Sequence, residues 1–116
     1  MSEQRRNRRF ELRLPLELVR PSNRLLRISG ETVNISSNGV LFQAETMAEE
    51  GEPLEYYITL PTSPSPTERL RLHCVGKVVR MVESPEEGRT MYTIAVTMER
   101  YEFTRQRMAT SSPIGR

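Results

Sequence analysis

Phe10-Glu11-Leu12-Arg13-Leu14-Pro15-Leu16-Glu17-Leu18 alternates apolar with other side chains along nine residues. Successive side chains of an extended chain point to opposite faces, so Phe10, Leu12, Leu14, Leu16 and Leu18 share one face and Glu11, Arg13 and Glu17 the other. The pattern predicts a half-buried β-strand. Pro15 has no N–H to give to a ladder, which predicts an edge position or a bulge near it. Pro21, Ser22 and Asn23 then end the segment.

The same period recurs downstream. Residues 24–33 read as a second strand with Leu26 and Ile28 on one face and a bulge or bend expected at Ser29-Gly30. Residues 34–39, Asn-Ile-Ser-Ser-Asn-Gly, are rich in types that bond their own backbone or accept positive φ, and predict a turn. Residues 40–44 follow as a third strand. Leu54, Tyr56, Ile58 and Leu60 mark a fourth, closed by the proline-rich loop of residues 61–66. Leu70, Leu72, Cys74, Gly76 and Val78 mark a fifth, with Val75 and Val79 on its other face. A turn over 84–88 leads to a sixth over 91–98. Only the end changes period: Tyr101, Phe103, Arg105 and Met108 predict a short helix over 99–109, and residues 111–116 a disordered tail. Six short antiparallel strands and one terminal helix predict an all-β domain, either a barrel or a sandwich.

At 116 residues the chain fits one domain. Its 36% hydrophobic and 28% charged residues suit a compact fold. No apolar run approaches the roughly 18 residues of a membrane helix, so no membrane insertion is expected. One unpartnered cysteine, Cys74, suits a reducing compartment, which predicts the cytoplasm. His73 has no second ligand at metal spacing and no nucleophile at catalytic spacing, so neither a metal, a cofactor nor an enzyme activity is expected. Cys74 reads as core filling, and the tyrosines and methionines as packing before they read as a ligand surface.

Charge supplies the first functional signal. The net charge is only +2, yet four of the seventeen Lys and Arg residues are Arg5, Arg6, Arg8 and Arg9. Alone, such a run is usually a solvated arm, and residues 34–39 alone are usually a turn. The glycosylation pattern Asn34-Ile35-Ser36 is set aside, since no secretion signal accompanies it.

Together the two segments carry a resemblance. Gln4-Arg5-Arg6-Asn7-Arg8-Arg9-Phe10 resembles the arginine motif of PilZ domains, two arginines separated by three residues, filled by Arg5 and Arg9. Gln4 stands where some members carry a further arginine. The second PilZ motif, Asp or Asn, any residue, Ser, two residues, Gly, is matched by Asn34, Ser36 and Gly39. With residues 74–80 the resemblance covers most of residues 3–110. It implies a six-stranded split β-barrel over 10–110 with a short C-terminal helix and a flexible arginine-rich arm over 1–9. It also implies that Arg5, Arg9, Asn34, Ser36 and Gly39 bind cyclic di-GMP, with Arg6 and Arg8 as accessory contacts.

The residue chemistry suits that ligand. Guanine presents O6 and N7 acceptors to a planar guanidinium, and arginine stacks on purine faces while keeping its charge. The expected role is a receptor module that orders its arm on binding and signals to a downstream protein partner. Two other readings stand beside it: a PilZ-like adaptor that binds no ligand, and a small barrel that binds single-stranded nucleic acid. Net charge of +2 argues against the last.

Overall fold

The computed structural model describes residues 10–107. Seven strands follow in chain order: β1 Pro15–Arg20, β2 Asn23–Ile35, β3 Gly39–Ala44, β4 Pro53–Thr59, β5 Glu68–Glu86, β6 Arg89–Thr97 and β7 Arg100–Arg107. All pair antiparallel in one sheet of order β4-β1-β2-β3-β6-β5-β7, and β4 also pairs with β5, so six strands close into a ring. The expected all-β fold is present. The arm over 1–9 and the tail over 111–116 lie outside the described residues.

A tight chain reversal follows β5. Glu86 faces Arg89 across a two-residue turn in which Gly88 has φ of 80°. From there β6 and β7 run back along one edge of β5, first opposite residues 86–78 and then opposite 75–68. The proline-rich loop joins β4 to β5, as expected of a hairpin.

The helix expected over 99–109 is corrected to strand β7 through Arg107, the two residues beyond it lying outside the described chain. Tyr101 pairs with Cys74 and Phe103 with Leu72. A helix there would leave one backbone edge of residues 68–75 unpaired, whereas the strand satisfies it. Local period was a weak guide because residues 101, 103 and 105 fit alternation as well as they fit a helix.

The core is the ring interior. Leu16, Leu18, Val40, Phe42, Leu54, Tyr56, Ile58, Cys74, Val78, Ile94 and Val96 are buried there, from the alternating faces of β1, β3, β4, β5 and β6. Burial of each large apolar side chain contributes about 1.5–3 kcal/mol. Phe10 and Leu12, expected on the buried face, are exposed instead, because the β1 ladder starts at Pro15. Pro15 is not at an edge: β1 lies between β2 and β4, and Pro15 faces only Glu31 of β2 while the β4 pairing begins at Leu16. Gly30 is not a bulge either. It pairs with Leu16 and Ala44, and a Cβ there would stand 2.6 Å from the Gln43 carbonyl oxygen.

Thr32 is the one buried polar residue of the described chain. Its backbone N–H donates to the Leu14 carbonyl at 2.9 Å, its hydroxyl oxygen accepts from the Leu14 N–H at 2.9 Å, and the hydroxyl donates to the Leu12 carbonyl. The side chain thereby carries the chain before β1 along β2 where a regular ladder is missing.

Candidate ligand-binding groove

β2 and β3 are joined by residues 36–38, and this turn is held by its own groups. The Ser36 N–H donates to the Gly39 carbonyl at 2.9 Å, the Asn38 N–H donates to Ser36 Oγ at 3.3 Å, and Ser36 Oγ lies 3.3 Å from the Gly39 carbonyl oxygen. The Asn38 carbonyl accepts from the Met98 N–H at 2.9 Å, tying the turn to the chain leaving β6. Ser36 is thus a turn former here as well as a hydroxyl. Gly39 is required by close approach, since a Cβ on it would meet the Val96 carbonyl oxygen at 2.3 Å.

Two β-bulges set the outer face beside this turn. In the pairing of β2 with β3, Thr32 faces Phe42 and Asn34 faces Leu41, leaving Val33 as the extra residue. In the pairing of β5 with β6, Val78 faces Val96 and Arg80 faces Ala95, leaving Val79 as the extra residue. Without either bulge, alternation would send Asn34 and Arg80 to the core face. Each bulge returns its polar residue to the outer face. Leu41 also faces Ala95, so Asn34, Leu41, Ala95 and Arg80 form one cross-strand row. Four strands at normal spacing separate its ends by about 14 Å.

The turn and three residues of this row, Leu41, Ala95 and Arg80, line a groove of about 520 Å³. Ser36, Asn38 and Gly39 form one side, Val79 and Arg80 the other, with Leu41, Ala95 and Thr97 between them. Arg80 carries the only formal charge among these lining residues. An apolar floor with amide and hydroxyl groups at one side and a guanidinium at the other suits a flat, polar-edged, anionic molecule.

The start of the described chain meets the same place. Phe10 and Ile35 exchange two backbone hydrogen bonds of 2.9 Å in an antiparallel bridge. Ile35 lies between Asn34 and Ser36, so the residue that follows Arg9 is anchored within the turn motif. The structure therefore brings Ser36 and Gly39 to one border of the groove and places Asn34 opposite Leu41 without making it a lining residue, while Arg5, Arg6, Arg8 and Arg9 fall outside the described residues. Arg80, Asn38 and Thr97 went unrecognised in the sequence. A bulge demands no particular residue type at Val79, so alternation alone carried no signal for Arg80.

The remaining chemistry is structural. Burial pushes the Cys74 thiol up to about 12, against which the Tyr56 hydrogen bond acts only weakly. Burial likewise raises the Tyr56 phenol, whose hydroxyl donates to the Thr97 carbonyl at 2.8 Å. His73 stacks on Tyr57 at 4.6 Å and lies 3.2 Å from the Glu55 carboxylate. Among the described residues no group of three or more His, Cys, Asp or Glu side chains could hold a metal ion, and no helix is long and apolar enough to cross a membrane.

A family model described as the PilZ domain matches residues 3–109, almost the whole chain. No curated protein matches it.

Proposed function

The chain belongs to the PilZ domain family, known for cyclic di-GMP binding, and from that premise we propose that it is a cytoplasmic receptor for this dinucleotide. The ligand lies in the groove between the turn of residues 36–38 and Arg80, and the arginine arm closes over it. The family's domains are ligand-binding receptors and not enzymes.

The observation that carries this reading is the Phe10–Ile35 bridge. It anchors the root of the arm within the motif that the arm must meet, one residue after Arg9. Arg5 and Arg9 then supply guanidinium groups for guanine edges and phosphates, and Asn34 supplies an amide for a guanine edge. Gly39 lets the backbone come close, with Ser36 shaping the turn. Arg6 and Arg8 are accessory cations. Arg80 is a second pole across the apolar floor, able to pair with phosphate or stack on a base.

Ordering the arm costs about 1–2 kcal/mol per residue, which charged contacts must offset. The rearrangement of the arm is the signal that a downstream protein partner reads. Titration calorimetry with cyclic di-GMP tests the assignment. A charge-assisted contact contributes roughly 1.5–3 kcal/mol, so Arg9→Ala should weaken binding about ten- to a hundredfold. Unchanged affinity in Arg9→Ala, or no binding by the native chain, would overturn it.

A further inference from the structure

Thr32 is fully buried and stands directly before Val33, the bulge residue that turns Asn34 to the outer face. Along its own strand it leads into the turn motif. Across from it runs the chain that carries the arginine arm, and there the ladder loses register. Pro15 faces Glu31 and Phe10 faces Ile35, so the arm side is one residue longer than β2 between the two pairs. Thr32 absorbs the mismatch. Its N–H donates to the Leu14 carbonyl at 2.9 Å, as one half of a regular antiparallel pair. The other half is changed: the Leu14 N–H donates at 2.9 Å to the Thr32 hydroxyl oxygen, which takes the part that the Thr32 carbonyl would play in a regular ladder. The hydroxyl proton then goes to the Leu12 carbonyl. One side chain holds residues 12 and 14, and the next tie along the chain is the Phe10–Ile35 bridge, adjacent to Arg9.

We propose that Thr32 is a positioning residue for the ligand: its hydroxyl fixes the root of the arginine arm in the register that brings Phe10 against Ile35, and so sets where Arg9 leaves the ring. The inference rests on the reading of this groove as a cyclic di-GMP site closed by the arm. A threonine hydroxyl accepts one hydrogen bond and donates another at once, whereas valine has its shape and does neither. Thr32→Val takes both partners from the segment between Phe10 and Leu14, which then samples more conformations before ligand arrives. Each further residue that binding has to fix weakens affinity about tenfold.

Amide hydrogen exchange on the ligand-free full chain tests the register. Thr32→Val should speed exchange at Phe10 and Ile35 at least tenfold while Phe42 and Ile94 in the core strands stay protected. Thr32→Ser keeps the hydroxyl and gives up only a methyl group, so it should retain the bridge protection and keep ligand affinity within about twofold even where the fold is less stable. Calorimetry tests the consequence: Thr32→Val should weaken cyclic di-GMP binding about tenfold in the native background and less than twofold in Arg9→Ala, because the effect runs through the arm. A loss of stability alone would not depend on Arg9. Unchanged exchange at Phe10 and Ile35 in Thr32→Val, native affinity in that variant, an equal affinity loss with and without Arg9, or lost affinity in Thr32→Ser would each overturn the proposal. Exchange is read with no ligand present, so a native chain that fails to bind the dinucleotide sinks the receptor reading while the register of the arm is still decided at the bridge.

Discussion

Asn34 and Arg80 stand at the two ends of one cross-strand row, and each is on the outer face because a single extra residue, Val33 or Val79, precedes it. Leu41 and Ala95 lie between them in the row, and both line the groove together with Arg80. Arg80 is exposed, so Arg80→Ala should leave the melting temperature within about 2 °C of the native value, as surface substitutions generally do. It should nonetheless weaken cyclic di-GMP binding by about tenfold, since a charge-assisted contact contributes roughly 1.5 kcal/mol or more. Calorimetry and a thermal melt on the same sample separate the two effects.

Three glycines should respond to alanine in a set order. A Cβ at Gly76 would stand 1.8 Å from the Thr97 carbonyl oxygen and one at Gly39 would stand 2.3 Å from that of Val96, both rigid backbone atoms. Gly51 meets nothing within 4 Å but holds φ of +85°. Urea unfolding should therefore rank the losses Gly76→Ala, then Gly39→Ala, then Gly51→Ala. The first two follow from overpacking at about 1–3 kcal/mol or more, and the last from backbone strain of about 1 kcal/mol. Gly39→Ala should also reduce ligand affinity, because it shifts the turn that borders the groove.

Tyr56 buttresses the groove from inside. Its ring is fully buried and its hydroxyl donates to the carbonyl of Thr97, a residue that lines the groove. Tyr56→Phe should cost about 1–2 kcal/mol in denaturant unfolding, the range for a buried hydrogen bond whose acceptor loses its partner. A neutral result would mean that the Thr97 carbonyl finds water.

Cys74 should be inert in the folded protein. With burial holding its thiol up at about 12, the thiolate is scarce at neutral pH. A thiol reagent at pH 8 should label it slowly in buffer and completely in denaturant. Rapid native labelling would show that the ring opens between β4 and β5.

Acid should destabilise the fold through Glu52. Burial would raise its carboxyl, but hydrogen bonds from Arg20, at 2.6 Å, and from the Glu49 N–H outweigh it and hold the group below its ordinary value of 4.5. A carboxyl lowered by folding adds stability above its unfolded pKa and loses it as pH falls through the folded one. Unfolding free energy should be level above about pH 5 and fall below about pH 4.5. Glu52→Gln should be less stable at pH 7 and show a shallower acid decline.

The turn at residues 36–38 could be read from residues 34–39, because Asn, Ser and Gly are the types that turns use, and only the resemblance to the PilZ motif gave it a ligand. The opposite side of the groove could not be read in this way. Arg80 follows Val78 and Val79 in a run whose alternation points it inward, and only the pairing of β5 with β6 shows the extra residue. Pro15 misled for a related reason: a missing N–H is tolerated at the first position of an inner strand when the pairing with one neighbour begins only at the next residue.

Alternation of Leu, Ile, Val and Tyr by itself determined an all-β chain and most of its core, since a two-residue period has one solution when one face must leave water. Ring closure, the two bulges and the fate of residues 100–107 were decided only in the tertiary structure. Those depend on which backbone edge finds a partner across long stretches of chain, and every residue type carries the same N–H and C=O groups, proline's N–H excepted. That is why β7 is a strand on β5, and why Asn34 and Arg80 share a face.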